Sequence, residues 1–535
     1  MKKFWALARV NATMALYQMN IVQRRRRNGR TGRGFMVGMG VVAAIIMAYM
    51  VFWAVMLSIA LNPDGLEWVI LPIGLLIVIF LVLTFSMFTL DSLLFDNTDT
   101  DTLFAYPVSK FTVVAGKTGG LLVQNWLIVA ILWLPYVVVY GCYAHPGVLF
   151  YVFGLLCLLI MPGVPLFAMG LISYVVGLVT SGSRFRRVFS VGLTLLLIVG
   201  MAFGLHAAIP ALEANSSAGG DAFSMLQRIY PPLGWATTAL AKESIGAMGM
   251  AILWNVLPFL ALCGLVSMSY AFIRTRVATV KKPRHTARVR FGAATAARAL
   301  YRKELSRLIY SPIYLMNSCV GVLVLVLLAI LAGRAGANLT TVENTLESAG
   351  VPIAQIILVF FLFILCISNT TAPSISLEGR SLWIVKSAPV DAKPVLRAKL
   401  GVQATVIAPL VVIAAVIMIF TLHVGVLGFL AVAVPAVLFT LVSACVGLAY
   451  NLHVYRLDYS NDMQAVRNSA NVLMTMGTMM AVVAVATVGY IFAFHFKILG
   501  FWPYWGVWVA ILAVAAVVLY RYLMTQGVKL FEALD

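Results

Sequence analysis

Runs of about twenty apolar residues, repeated along the whole chain, decide what it can fold into. A helix of roughly 20 residues crosses the hydrocarbon core of a bilayer, because every backbone N–H and C=O there must be paired within the segment. Twelve such runs lie near residues 35–60, 66–90, 120–141, 147–178, 187–210 and 250–273, then 313–333, 350–370, 401–422, 425–450, 470–494 and 502–523. With 62% hydrophobic and only 10% charged residues over 535 positions, the composition excludes a soluble domain of this size. A membrane barrel would need roughly 10-residue segments of alternating polarity, and these are absent. The expected fold is therefore all-α, a polytopic membrane protein.

Net charge is +20, which in a soluble chain would point to nucleic acid. Here the spans sort the charge instead. Of 38 Lys and Arg residues, all but Arg228, Lys242, Arg334 and Lys497 fall on the side that twelve spans assign to both termini. Loops rich in Lys and Arg stay in the cytoplasm, so the termini are expected there, in a cell membrane, with no nucleic-acid partner. Apolar sequence starts only near Phe35, after a basic lead, so the first run is expected to be a mature span and not a cleaved signal. The lead itself reads as a helix lying on the membrane surface or as a disordered basic tail. The six cysteines sit in or beside apolar runs without a CxxC pair and read as packing residues.

The chain divides near residue 278. Ile273 to Gly292 is basic, carries Pro283 and has almost no apolar face, as a linker would. The expected halves are residues 1–278 and 279–535, each a surface helix followed by six spans, and the order is an internal repeat. A local echo supports it. The segment AYPVSKFTVVAGK, Ala105 to Lys117, returns 282 positions later in APVDAKPVLRAK. Pro107 falls on Pro389, Ser109 on Asp391, Lys117 on Lys399 and Asp96 on Glu378. Ser109 and Asp391 are suited to cap helices, and each follows Pro-Val, an extended dipeptide. Pro394 would fall in the first turn, where a missing N–H costs nothing. Each loop is expected to hold a short helix running into the next span. The halves differ outside: RIYPPLGWATTALAK, residues 228–242, is too short to span and is expected to form a re-entrant or interfacial helix.

No chemistry is evident inside the chain. Gly116-Lys117-Thr118 does not complete a phosphate loop, because position 111 is Phe and the segment leads into a span. Span interiors lack the Asp, Glu or His that ion-coupled carriers use. Asn125, Asn255, Asn317 and Gln355 read as interhelical hydrogen-bond partners. No protease or esterase motif is present, no cofactor or metal is implied, and the chain is not expected to be an enzyme. The two loops remain. Asp91, Asp96, Asp99 and Asp101 crowd the first, and Glu378 lies in the second. Acids beside Leu103, Phe104 and Trp383 suit a protein partner better than an anionic lipid; an ordinary membrane loop is the plain alternative.

The order surface helix, span, span, cytoplasmic helix, span resembles the permease half of type-2 ATP-binding-cassette (ABC) exporters. LEGRSLWIVKSAPVDAKPVLRAKL, LFAYPVSKFTVVAGK and NLHVYRLDYSNDMQAVRNSANVLM resemble cytoplasmic loops of the two-half, twelve-span bacterial ABC exporter permeases. The resemblance implies that the two echoing loops are coupling helices docked on a separate ATPase dimer, and that the surface helices before spans one and seven also touch it. It further implies that segment 230–245 is an external re-entrant helix and that one chain supplies both permease halves. The docking residues it implies are Asp96, Asp99, Asp101, Pro107, Ser109 and Lys117 in the first loop. In the second they are Glu378, Arg380, Trp383, Pro389, Asp391 and Lys399. The first loop departs from the pattern in lacking Glu-Gly-Arg. An apolar or amphipathic substrate is expected. A secondary carrier or lipid flippase, or a membrane scaffold or sensor, is the alternative.

Overall fold

The computed structural model describes residues 43–55, 67–95, 109–179, 222–279, 295–332, 353–422, 425–455, 469–495 and 500–534, with a few single positions between them. Its regular elements are all helical among these residues. They form two compact units, residues 46–279 in the first and residues 295–534 in the second, which also takes in residues 43–45.

In the first unit a 3-10 turn at Glu67–Val69 leads into α1 (Ile70–Phe95). Then come α2 (Lys110–Ala144), α3 (Val148–Ile160) and α4 (Gly163–Val179). α2 starts where the sequence places it: the Ser109 Oγ accepts from the Thr112 N–H at 3.2 Å. It stops at His145, whose left-handed φ of 45° turns the chain towards Gly147 and α3. α1 packs on α2 and α4, and the fully buried Trp133 of α2 donates to the Gly154 carbonyl at 2.9 Å, joining α2 to α3. The unit continues with α5 (Ala222–Ile229), α6 (Pro231–Lys242) and α7 (Ile245–Thr279).

Residues 222–242 thus form a helical hairpin, and segment 228–242 supplies its turn and second helix. Pro231 and Pro232 open α6, where their missing N–H groups cost nothing. α6 buries Leu233, Ala236 and Leu240 and packs against α1, α3, α5 and α7. Gln227 Nε2 donates to Thr238 Oγ1 across the hairpin at 2.7 Å. After α6, Glu243 adopts a left-handed φ of 48°, and its carboxylate accepts from the Gly147 N–H at 2.5 Å.

The second unit opens with α8 (Ala296–Tyr310), α9 (Pro312–Ala332) and α10 (Ile353–Leu365). Non-helical backbone follows α10 as far as a 3-10 segment at Ser376–Ser381, and then α11 (Leu382–Ser387). α12 (Ala392–Val402) runs through a π turn at Gln403–Ile407 into α13 (Ala408–Leu422). Next are α14 (Val426–His453), α15 (Ala470–His495) and α16 (Phe501–Tyr522), which ends through a second π turn, Leu523–Gly527, in α17 (Val528–Glu532). α14 is the centre of the unit, buried along most of its length and packed by α10, α13, α15 and α16.

Seven helices among the described residues are long and apolar enough to cross a membrane, with a shorter apolar helix at Ala43–Val55. The run at 187–210 and the N-terminal lead lie outside the described residues. α2 begins at Lys110 and α12 at Ala392, 282 positions apart, the spacing of the sequence echo. A second echo lies at the other end of these helices. His145-Pro146-Gly147-Val148 and His423-Val424-Gly425-Val426 are 278 positions apart, and both glycines stand at the starts of the following helices.

Candidate functional site

The segment between α10 and α12 is held from within by an ionic cluster. α8 turns Leu300, Glu304 and Leu308, spaced four apart, inwards against α12. Lys303 and Arg307 lie one residue round on the same flank. From α12, Lys399 reaches into this space with its side chain wholly enclosed. Its Nζ donates to Glu304 Oε1 at 2.9 Å, to Glu378 Oε1 at 3.0 Å and to the Ser374 carbonyl at 3.0 Å, so all three protons are used. Glu378 also accepts from Lys303 Nζ at 2.8 and 2.9 Å and from Arg307 Nη2 at 2.9 Å. Three cations thus face two carboxylates. Burial alone would raise the Glu378 carboxyl, but Lys399, Arg307 and Lys303 outweigh it and hold the group far below the usual carboxylate range.

Beneath the cluster, the backbone from residue 368 to 376 leaves the helix inside the protein, and side chains replace its lost partners. Gln403, at the π turn, accepts from the Thr370 N–H and returns a donor to the Ser368 carbonyl at 3.1 Å. Asn369 binds Ser443 of α14 through its amide nitrogen at 2.8 Å, while its oxygen accepts from Thr371 and the Ala372 N–H. Asn451 accepts from the Ile375 and Ser376 N–H groups at 3.1 and 3.0 Å. Tyr314 and Ser318 of α9 and Asn471 of α15 cap the carbonyls of Thr370, Asn369 and Ala372. The segment is therefore fixed to α9, α12, α14 and α15 at once.

What faces outwards is different in kind. Leu382 anchors α11 in a core shared with α12, the end of α14 and the C-terminal Phe531 and Leu534. The next two residues, Trp383 and Ile384, are 67% and 54% exposed. Lys386 fixes the far end of α11 by donating to the Leu534 carbonyl. Pro389 and Asp391 are exposed beside them, as are Lys393 and Arg397 on the outer face of α12.

The structure sorts the residues chosen from the sequence. Glu378 and Lys399 are brought together, but at 3% and 2% exposure they are internal ties and not docking contacts. The reason is that α8 supplies their partners. Trp383, Pro389 and Asp391 are at the surface; Asp391 stands at the start of α12 without a side-chain capping bond, unlike Ser109. Arg380 and Lys117 are placed by backbone only, within the 3-10 segment and α2, and Asp96, Asp99, Asp101 and Pro107 lie outside the described residues. Glu304, Lys303 and Arg307 were missed, although Lys-Glu-x-x-Arg in a chain with few acids was a visible signal. Among the polar span residues, Asn125 bonds Ser86 across helices at 3.3 Å and Asn317 reaches Val466, whereas Asn255 bonds within its own helix. The six cysteines are free thiols, and all but Cys142 are buried.

A family described as a membrane protein of 12 TMs, that is, of twelve transmembrane segments, matches residues 35–521. The chain belongs to this family. The twelve-span count thus holds over a stretch that covers most of both units. No curated protein and no solved structure matches this twelve-span protein.

Proposed function

We propose that this twelve-span protein is the permease of an ABC exporter, driven by a separate pair of ATPase subunits on the cytoplasmic side. The observation that carries the reading is the exposed Trp383–Ile384 pair on a short helix anchored by Leu382 and preceded directly by a segment that buried ion pairs hold at Glu378. Two adjacent large apolar side chains standing out beside Lys386, Lys393 and Arg397 suit a protein surface with an apolar pocket and acidic rim. A docking element must also transmit force. The segment that leads into α11 is joined to α8 and α12 through the ionic cluster, and α12 continues without a break into the apolar α13. A push on α11 would move helices, not a loose loop. The cytoplasmic placement rests on the Lys/Arg asymmetry. Twelve spans and two similar loop sequences suit one chain that supplies both permease halves, exporting an apolar or amphipathic substrate.

Purification of the tagged full-length chain from its native membranes tests the reading. A co-purifying protein that hydrolyses ATP is expected, and Trp383→Ala/Ile384→Ala is expected to lose it. Recovery of a pure chain with full transport activity and no ATPase would overturn the proposal.

A further inference from the structure

Two ties fix how α8 lies. Near its start, the Tyr301 hydroxyl meets Thr405 Oγ1 at 2.7 Å, and a Cβ at Gly401 would stand 3.5 Å from the Tyr301 ring. Just past its end, Tyr314 of α9 donates to the Thr370 carbonyl, and the Thr370 N–H donates to Gln403 Oε1 at 2.6 Å. A helix of 15 residues, about 22 Å long, is thus tied at both ends to one stretch, residues 401–405, of the span that α12 and α13 form. It runs across that span, in the plane of the membrane. Lys399 is the last charged residue before an uncharged run from Leu400 to Leu422, so residues 401–405 mark the edge of the hydrocarbon core. α8 therefore lies where headgroups meet acyl chains.

Its inner face is the Leu300, Glu304, Leu308 stripe. Arg298, Arg302 and Ile309, spaced four and seven apart, share the opposite face, and all three are exposed. Tyr310 beside them is 85% exposed, although it stands two residues before α9. The arginines are poorly placed for the helix itself. Arg298 stands in the first turn, at the positive end of the dipole, and Arg302 sets like charge against it one turn on. The one acid of α8, Glu304, is turned inwards and bound to Lys399, and no described residue pairs with either arginine. An anion beside them would remove both penalties.

We propose that the outer face of α8 binds anionic phospholipid, with headgroups paired to Arg298 and Arg302 and acyl chains against Ile309 and Tyr310. A leaflet supplies the anion and the apolar cover together, whereas an acidic protein would have to displace acyl chains from Ile309 and Tyr310. Nothing in this site depends on an ATPase, so its failure and that of the permease reading are separate outcomes.

The test uses the purified full-length chain with a photo-reactive amino acid at position 309, in nanodiscs of equal phosphatidylglycerol and phosphatidylcholine, and mass spectrometry of the lipid adducts. Position 511, exposed on α16, is the control. Phosphatidylglycerol is expected in about fivefold excess at 309, the size one arginine gives at an anionic surface, and in even ratio at 511. Arg298→Gln/Arg302→Gln is expected to bring the ratio at 309 to even. Arg298→Lys/Arg302→Lys, which keeps the charge, should retain the excess, and thermal melts identify any variant that has merely misfolded. An even ratio at 309 in the native chain, the same excess at 511, or an excess that survives loss of both arginines would overturn the proposal. So would capture of a protein at 309 in native membranes in place of lipid.

Discussion

Glu378 and Lys399 form a buried ion pair in the second unit. Breaking a buried pair strands the surviving charge, at a typical cost of about 3–5 kcal/mol. Glu378→Gln and Lys399→Met are each expected to lower stability in detergent by that order, measured by thermal unfolding. The pH dependence has a definite sign. The folded Glu378 carboxyl lies below its unfolded value, so its stabilisation is complete above roughly pH 4.3 and fades as pH falls towards the folded value. The gap between native chain and Glu378→Gln is therefore expected to be flat above about pH 5 and to close in more acid solution. A gap that widened on acidification would exclude this account of the cluster. Next to Glu378, Gly379 has φ 53° and ψ −139°, a region that L side chains avoid. Gly379→Ala is expected to cost about 1–3 kcal/mol by the same measurement.

Among elements, the helices were legible and the segment between α10 and α12 was only half so. Apolar length fixes α14 and α16 to within a few residues, because a span must satisfy its own backbone, whereas α2 starts well before its apolar run, at the Ser109 cap. The start of α12 after Asp391 was legible too, from Pro-Val and Pro394. What could not be read was which way the charges face. Glu378, Lys399 and Trp383 look equally like surface residues in sequence, and only the packing of α8 on α12 shows that two are enclosed and one is not. The polar run Ser368 to Thr371 likewise reads as a loop, while its partners Gln403 and Ser443 lie far along the chain. Here α14 comes close: a Cβ at Gly447 would lie 2.7 Å from Thr371 Oγ1 and 2.8 Å from Asn369 Oδ1. Gly447→Val is expected to push the segment off α14 and to lower the melting temperature. By contrast, Trp383→Ala/Ile384→Ala touches exposed groups and is expected to change stability by no more than about 0.5 kcal/mol, so its effect on partner capture is a clean readout.

At the scale of the whole molecule, family membership fixes twelve spans, and the Lys/Arg distribution proposes their orientation. Ser387→Cys on α11 is expected to react with an impermeant maleimide only after cells are opened, and Ile245→Cys, at the start of α7, in intact cells. Both positions are exposed, and the buried native thiols leave only Cys142 as background. The central claim is that α11 is a rigid docking element for an ATPase. It is tested most directly by placing a photo-reactive amino acid at position 383 and irradiating native membranes, with position 511 on α16 as control. The account predicts a covalent adduct at 383 with a soluble subunit that binds ATP, and only lipid adducts at 511. Lipid adducts at both positions, with no protein captured at 383, would contradict it.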